Sequence, residues 1–227
     1  MPRGSPLSAP PRARLEQVGY AQALERQRDL VRRRSEGNLP DLVWYLEHLA
    51  VVTWGARGGA QHMRLGPDAI RERGVELLAT DRGGDITYHG PGQLVGYPIL
   101  SLMADRDLHR YLRNLEEALI RSLNEHGLEG RTLPGRTGVW VGGSKIAAIG
   151  VRVARWITSH GFALNVDCDL SGFDLIVPCG IADAGVTSMA QELERAGRPC
   201  PGTREMAPLV HRNLEEVLGR PLLMMAK

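Results

Sequence analysis

Three apolar segments in the middle of the chain follow one another with almost no sequence between them. They cover residues 139–141, 146–153 and 157–166, and only a Gly/Ser turn and an Arg-Trp turn separate them. Connections this short allow antiparallel hairpins but leave no room for the crossover helix that parallel neighbours need. The chain is therefore constrained to a sheet with antiparallel strands at its centre.

The remaining elements can be placed from composition and periodicity. β-Branched and aromatic runs predict further strands over residues 42–46, 51–54, 75–79 and 94–100. Helical spacing of apolar residues predicts helices over residues 17–34, 108–123 and 203–218. Asp107 is the expected N-cap of the second helix and Gly127 its stop. Strands outnumber helices and cluster as hairpins, which favours an α/β fold of the α+β type, a mixed β-sheet flanked by helices.

The 227 residues suffice for a single domain with its own core. We expect this domain over residues 15–220, a disordered N-terminal tail over 1–14, which holds four prolines and no acidic residue, and a C-terminal tail over 221–227. A net charge of +2 gives no support for nucleic acid or a membrane as partner. Three cysteines without a CxxC pair favour free thiols and a cytoplasmic location, with no metal site.

Lysine is almost absent from the chain. Of the 28 lysine and arginine residues, only Lys145 and Lys227 are lysine. Arginine keeps its proton in proteins, whereas a lysine withdrawn from water can lose it. Lys145 opens an apolar strand after two glycines, but the residues around it do not form the GxxxxGK[ST] pattern of a phosphate loop. Lys145 is therefore a candidate acid–base group, with codon bias as the alternative explanation.

Cys179 is a second candidate, because it follows an apolar run and lies between Pro178 and Gly180. The thiolate is the reactive form of cysteine, and a nearby cation or base is needed to form it at neutral pH. The alternative is a small buried hydrophobic side chain. Cys168 is flanked by two aspartates, which oppose a thiolate, and Cys200 is flanked by prolines in an expected surface loop.

A glycine-rich loop is predicted over residues 82–93, with four glycines, a proline and His89. Such a backbone can bring amides close to a ligand, although a tight turn with a packed histidine explains the same composition. A second His-Gly step, His160-Gly161, lies within a predicted strand. Glycine at such a position indicates close approach of another backbone or of a ligand.

Together these segments resemble the signature of the octanoyltransferases, also called lipoate–protein ligase B. The resemblance is carried by five ordered stretches, residues 82–98, 138–140, 145–152, 160–165 and 178–181. It extends from about Gln17 to Leu218. One departure is Leu49, where the family more often has proline, and it concerns the entry to a strand rather than the chemistry.

The resemblance implies a fold like that of the biotin and lipoate protein ligase catalytic domains. It also implies transfer of an octanoyl group from octanoyl-acyl carrier protein to a lysine of lipoyl domains, in 2-oxoacid dehydrogenase E2 subunits and glycine cleavage H protein. Cys179 would carry the group as a thioester, with Lys145 as its acid–base partner. The implied acyl-binding residues form three segments: Arg82, Gly83, Gly84, Asp85, Ile86, Thr87, Tyr88 and His89; Ala148, Ile149 and Gly150; Gly161, Phe162 and Ala163. His160 would support the pocket.

No cofactor is expected, because attack by a thiolate exchanges one thioester for another without ATP. Three alternatives stay open at this point. An ATP-dependent lipoate or biotin protein ligase of the same fold needs an adenylate site and no nucleophilic cysteine. An amidotransferase that moves octanoyl groups between lipoyl domains also uses a cysteine. A non-enzymatic module would bind acidic carrier proteins through the arginine-rich helix 26–34.

Overall fold

The computed structural model describes residues 12–56, 58–177 and 185–227. The α-helices within these ranges are α1 (Tyr20–Ser35), α2 (Pro67–Arg71), α3 (Leu108–Glu125), α4 (Met189–Arg195) and α5 (Thr203–Leu218). The strands within them are β1 (Gln17–Val18), β2 (Leu42–His48), β3 (Val51–Trp54), β4 (Glu76–Ala79), β5 (Thr87–His89), β6 (Gln93–Ile99), β7 (Arg131–Leu133), β8 (Arg136–Val141), β9 (Ser144–Ala154), β10 (Ile157–Asn165) and β11 (Leu223–Ala226). Short 3-10 helices cover Ala60–His62 and Leu170–Leu175.

The larger sheet has the strand order β1-β2-β6-β10-β9-β8-β7, and β11 also pairs with β2. Neighbours from β2 to β7 are antiparallel, whereas β1 and β11 run parallel to β2. The β8–β9 and β9–β10 connections are two-residue turns, with positive φ at both central residues of each. This is the hairpin geometry that matches the twist of the strands. The predicted mixed sheet with an antiparallel centre is confirmed.

Helices cover both faces of this sheet. Val43 and Tyr45 of β2 pack in one cluster with apolar residues of α3 and α5. Leu42 and Leu46 of the same strand pack on the opposite side, where α1 supplies Leu30 and Ala23. Because successive side chains of a strand point to opposite faces, α1 lies across the sheet from α3 and α5.

A smaller sheet with the order β4-β3-β5 has its own apolar cluster. Its strand β5 lies inside the segment predicted as a loop over 82–93. The segment was taken for a loop because glycines surround this three-residue strand, and pairing with β3 defines it. Helices α2 and α4 were also not predicted, since both are too short to show a helical period.

The C-terminal segment expected as a tail over 221–227 belongs to the larger sheet. Strand β11 pairs in parallel with β2, and the Leu223 N–H donates a hydrogen bond of 2.9 Å to the Asp41 carbonyl. At the other terminus, Arg12 and Arg14 contact Asp167, so residues 12–14 of the expected N-terminal tail lie against the domain. Within the described ranges no helix combines the length and apolarity that a membrane span requires.

Candidate active site

A cavity of about 400 Å³ lies against the larger sheet and brings together residues from all three predicted acyl-binding segments. These residues are Arg82, Gly83, Gly84, Asp85, Ile86, Thr87, His89, Ala148, Ile149, Gly150, Gly161, Phe162 and Ala163. Lys145 and His160 line the same cavity. The segments lie far apart in sequence, and the pairing of β9 with β10 and the path of the 82–87 loop unite them.

Small residues on adjacent strands form the floor of the cavity. Ala148 pairs with Ala163, and Gly150 pairs with Gly161, between β9 and β10. These four positions share one face, because they are two residues apart along each strand. Larger side chains at these positions would fill the space above them, so the small residues create a groove along the strands.

The loop after β4 lies directly on this floor at one point. The Gly83 N–H donates a hydrogen bond of 2.8 Å to the Val151 carbonyl. A Cβ atom on Gly150 would lie 2.8 Å from the Gly83 carbonyl oxygen, closer than real Cβ contacts. Glycine at position 150 therefore allows the backbone-to-backbone contact that closes the cavity here.

Arg82 is buried beside the cavity, and its guanidinium is held by the protein itself. Its NH2 donates to the Thr53 carbonyl at 2.8 Å and to the Thr53 hydroxyl at 3.0 Å. NH1 donates to the Gly83 carbonyl at 3.1 Å. These bonds tie the glycine-rich loop to β3 and fix the wall of the cavity.

Tyr88 is the one residue of the 82–89 segment that does not line the cavity. Its ring packs edge-on against Phe173 with the centroids 5.5 Å apart, in the cluster of the smaller sheet. Thr87 and His89 line the cavity, so the alternation of β5 explains why Tyr88 points away.

Buried tyrosine and histidine side chains form a hydrogen-bonded series beside the groove. The His48 Nδ1–H donates to the Val18 carbonyl at 2.7 Å, so His48 Nε2 accepts from the Tyr97 hydroxyl at 2.6 Å. Tyr20, which lines the cavity, forms a hydrogen bond with Tyr97 through its hydroxyl. Burial lowers the pKa of His48 to about 4 and raises the pKa of Tyr97 well above its ordinary value. This series is neutral and closed at neutral pH.

His89 and His160 are both tied to neighbouring side chains. His89 Nδ1 lies 2.7 Å from Gln93 Oε1, and burial lowers the pKa of His89 well below its ordinary value. His160 Nε2 lies 2.8 Å from Asp81 Oδ1, and burial lowers the pKa of His160 against the opposing effect of Asp81. In these positions both histidines hold the walls of the cavity.

Lys145 is half-buried at the other end of the groove. Its amine Nζ donates to the Thr137 carbonyl at 3.2 Å and lies 5.0 Å from the centre of the Trp140 ring. The Arg136 guanidinium lies 5.9 Å from the same ring. Cations above an indole face are stabilised by its quadrupole, so Trp140 favours positive charge in this region.

A β-bulge explains why Lys145 shares the cavity with Ala148. In a regular strand two residues three positions apart point to opposite faces. Val139 pairs with Ala147 but Trp140 pairs with Lys145, so β9 carries one extra residue between these pairs. An extra residue reverses the alternation of side chains across the bulge. Lys145, on the other side of the bulge from Ala148, therefore points towards the groove.

Cys179 lies outside the described residues, as does the rest of 178–184. The described chain before this segment ends at Val177, whose N–H donates to the His62 carbonyl at 2.8 Å. After it, the Lys145 N–H donates to the Gly185 carbonyl at 2.8 Å, and the Thr187 N–H donates to the Lys145 carbonyl at 3.0 Å. The chain thus resumes in direct backbone contact with Lys145.

The two described cysteines are not suited to nucleophilic work. Burial, with help from Asp167, raises the pKa of Cys168 to about 12. Burial raises the pKa of Cys200 to about 11. Both remain thiols at neutral pH, and neither lines the cavity.

Several residues that line the cavity are not among the predicted site residues, and Tyr20 and Tyr97 are two of them. Tyr20 was assigned to the apolar stripe of a helix, and Tyr97 to a buried strand. Both are buried, but their hydroxyls lie in the series described above. A buried tyrosine hydroxyl needs a partner, and this was the available signal.

Comparison with known proteins gives the class of protein to which this fold and cavity belong. The family model of the lipoyl protein ligase A/B catalytic domain matches residues 19–200. The chain belongs to this family.

Curated relatives within the family narrow the class further. An octanoyltransferase of Rubrobacter xylanophilus is 54% identical over 204 residues, covering 89% of this chain and 90% of that protein. An octanoyltransferase of Solibacter usitatus is 51% identical over 177 residues, covering 78% of this chain and 80% of that one. Within its family the chain groups with the octanoyltransferases, which are acyltransferases.

Solved structures confirm the lipoate ligase type of fold. A lipoate-protein ligase A bound with ATP superposes with a TM-score of 0.73 at 18% identity, covering 94% of this chain and 88% of that one. The bipartite lipoate protein ligase of Thermoplasma acidophilum, described with its E2 lipoyl domain, gives a TM-score of 0.72 at 19% identity, covering 92% and 84%. Identities this low establish the shared fold alone.

Proposed function

We propose that this chain transfers an octanoyl group from octanoyl-acyl carrier protein to a lysine of a lipoyl domain through a thioester on Cys179. The observation that carries the proposal is the cavity itself. It has an apolar floor of alanine and glycine, and an amine at one end. A linear acyl chain fits such a groove, and its carbonyl carbon would lie at the end where Lys145 is found.

The first half-reaction exchanges thioesters. The Cys179 sulfur attacks the carbonyl carbon of the donor, a new C–S bond forms, and the C–S bond to the carrier breaks. Lys145 takes the Cys179 proton before attack and gives it to the departing carrier thiolate, which leaves as the free thiol. An amine can play this part, whereas arginine keeps its proton and supplies charge only.

The second half-reaction forms an amide. The amine of the acceptor lysine attacks the Cys179 thioester, a C–N bond forms, and the C–S bond breaks. Lys145 accepts a proton from the attacking amine, and the Cys179 sulfur leaves as a thiolate that the resulting ammonium stabilises. Free energy falls in this step because an amide is more stable than a thioester, so no nucleotide is needed.

Three observations support Cys179 as the nucleophile. The other two cysteines have raised pKa values and lie away from the cavity. Gly185, six positions after Cys179, is bonded to the Lys145 backbone. The acyl-binding residues that the octanoyltransferase signature implied together with Cys179 line the cavity, except for Tyr88.

The acceptors we propose are the lipoyl domains of 2-oxoacid dehydrogenase E2 subunits and of the glycine cleavage H protein. The family acts on lipoyl domains, as the Thermoplasma acidophilum ligase with its E2 lipoyl domain illustrates. Octanoyl-acyl carrier protein is the proposed donor because a thioester donor makes the exchange at Cys179 nearly neutral in free energy.

The test is a transfer assay with three donors and one lipoyl domain, followed by the mass of that domain. Octanoyl-acyl carrier protein without nucleotide is expected to give the octanoylated domain. Modification only with octanoate and ATP would contradict the proposal and indicate a ligase. Modification only from an already octanoylated lipoyl domain would instead indicate an amidotransferase.

A further inference from the structure

We propose that Glu116, a buried carboxylate on α3, is a positioning residue that orients the Lys145 amine through the Thr137–Gly138 peptide group. This inference rests on the proposed role of Lys145. It concerns a residue on a helix that contributes the main core of the opposite sheet face, and no part of the family signature includes it.

The two ends of a single peptide group make the connection. The Thr137 carbonyl accepts the hydrogen bond of Lys145 Nζ at 3.2 Å. The N–H of the same peptide group, on Gly138, donates to Glu116 Oε1 at 2.9 Å. Lys145 and Glu116 are thus linked by one peptide unit and two hydrogen bonds.

A carboxylate on the N–H side of a peptide strengthens the opposite end. The negative charge of Glu116 draws the N–H towards itself and increases the partial negative charge on the Thr137 oxygen, because hydrogen bonds in series polarise one another. A more negative carbonyl holds the Lys145 amine more firmly in one orientation. Hydrogen bonds are stronger in a buried site than in water, and Glu116 is fully buried.

The backbone at Gly138 is built for this arrangement. Its φ is +122°, which side chains other than hydrogen disfavour. A Cβ atom at this position would lie 2.6 Å from the Ala147 carbonyl oxygen and 3.4 Å from Lys145 Cε. Glycine therefore lets the peptide turn its carbonyl to the lysine and its N–H to the carboxylate.

An apolar side chain at position 116 would pack in the core without the cost of burying a charge. Glu116 lies in the apolar stripe of α3, four residues after Leu112 and three before Leu119. Burial raises the pKa of Glu116, while the Gly138 N–H, Arg113 and Lys145 act in the opposite direction. Its second oxygen lies 2.6 Å from Arg113 NH1, at the solvent edge. A buried carboxylate is costly unless it is paired, and this one pairs with Arg113 through one oxygen and accepts from the Gly138 N–H, on the Lys145 side, through the other.

The composition of the chain offers a direct measurement. Only Lys145 and Lys227 are lysine, so biosynthetic labelling with 13Cε,15Nζ-lysine gives two side-chain NMR signals, and the exposed Lys227 serves as internal reference. Glu116→Leu and Glu116→Gln are compared with Glu117→Gln, which changes the adjacent exposed carboxylate of the same helix. Melting temperatures show whether each variant folds.

Glu116→Leu is expected to shift the Lys145 signal and leave the Lys227 signal in place. Its kcat for acyl transfer should fall about 10- to 100-fold with KM unchanged, because a misdirected catalytic group loses rate on that scale. Glu116→Gln keeps an oxygen for the Gly138 N–H and should retain more activity than Glu116→Leu. Glu117→Gln should match the parent in every readout.

An unshifted Lys145 signal in folded Glu116→Leu, or wild-type kcat in that variant, would overturn the inference. Should Glu116→Leu fail to fold, Glu116→Gln supplies the test, and a Lys145 signal and kcat equal to the parent's would overturn it in the same way. The NMR shift needs no turnover. A chain that transfers no octanoyl group but still shows the shift would refute the proposed function and leave the contact intact.

Discussion

At one end of the cavity the Lys145 amine is half-buried, and its contacts include a backbone carbonyl and the face of Trp140. Beside the other end, the Tyr20, Tyr97 and His48 side chains are buried and hydrogen-bonded in series. The two ends lie about 15 Å apart along β9, from Lys145 to Gly150. Both ends are polar, but the side chains at the second end are more deeply buried.

The difference between the two ends corresponds to two proposed tasks: catalysis at the Lys145 end and binding of the acyl chain at the other end. A closed series of buried hydrogen bonds resists change, because breaking one bond leaves a buried group without a partner. It therefore suits the wall of a cavity that must keep its shape. A β-bulge turns Lys145 towards the groove, and its amine donates a hydrogen bond to the Thr137 carbonyl, an arrangement compatible with the proton transfer that we propose for Lys145.

The largest effect is expected from Cys179→Ala, which removes the proposed nucleophile at the reactive end. Octanoyl transfer should fall by at least about 1,000-fold, since no thioester can form. Cys200→Ala is the matched control and should keep full activity, because Cys200 lies outside the cavity. Steady-state assays with octanoyl-acyl carrier protein measure both. Equal losses of activity in the two variants would contradict the assignment of Cys179, and not Cys200, as the nucleophile.

The next effect is expected from Lys145→Arg, which keeps the charge at the reactive end but removes proton exchange. Turnover should fall about 100- to 10,000-fold, the scale of general acid–base catalysis. Lys227→Arg changes the other lysine and is expected to be silent. A Lys145→Arg enzyme with normal kcat would show that the position supplies charge alone.

Between the two ends, Ala148→Leu should fill the groove. The added methylene and methyl groups compete with the acyl chain, so kcat/KM for octanoyl transfer should fall about 10- to 100-fold. Transfer of a butanoyl group should fall less, because a short chain stays near Lys145. Ala148→Gly is the control and leaves the groove open. An equal loss for both chain lengths in Ala148→Leu would place the acyl chain elsewhere.

The smallest effect is expected at the end beside Tyr20, Tyr97 and His48, and it is a change in the free energy of unfolding with pH. The pKa of His48 is about 4 in the folded protein, below the ordinary value near 6.5. The unfolded chain therefore binds more protons between these pH values. The contribution of His48 to the free energy of unfolding is present above pH 6.5 and is lost as the pH falls towards 4. From pH 7 to pH 5 the parent should lose about 2 kcal/mol through His48.

Urea unfolding at both pH values measures this loss. His48→Gln is expected to lose about 2 kcal/mol less than the parent over the same interval, since His89 and the other titrating groups remain. Lys145→Arg should lose as much as the parent, because it leaves the closed end untouched. An acid sensitivity unchanged by His48→Gln would mean that His48 is not held neutral by the fold.

Elements with a long periodic pattern of apolar residues could be predicted from the sequence. Short strands that are defined only by their pairing with another strand could not. Helix α5 was placed at residues 203–218, the bounds that the structure has, because its apolar stripe is long. Strand β11 has few residues and an exposed half, so only its pairing with β2 identifies it. Strand β5 was hidden among glycines for the same reason.

The site shows the same division. Ala148, Gly150, Gly161 and Ala163 belong to the acyl-binding segments that the resemblance implied, and the structure brings them together on one floor. The orientation of Tyr88 depends on the register of β5, which the sequence does not reveal. Glu116 was passed over within a helical stripe, although an acidic residue among leucines was a visible signal.

The central claim is that the acyl group rests on Cys179 between the two half-reactions. The most direct measurement is the intact mass of the enzyme after incubation with octanoyl-acyl carrier protein and no acceptor, followed by peptide mapping. We expect the mass of the enzyme to increase by one octanoyl group, which is located on Cys179 and is lost on addition of a lipoyl domain. Turnover without such an adduct, or an adduct on another residue that passes to the acceptor, would contradict it.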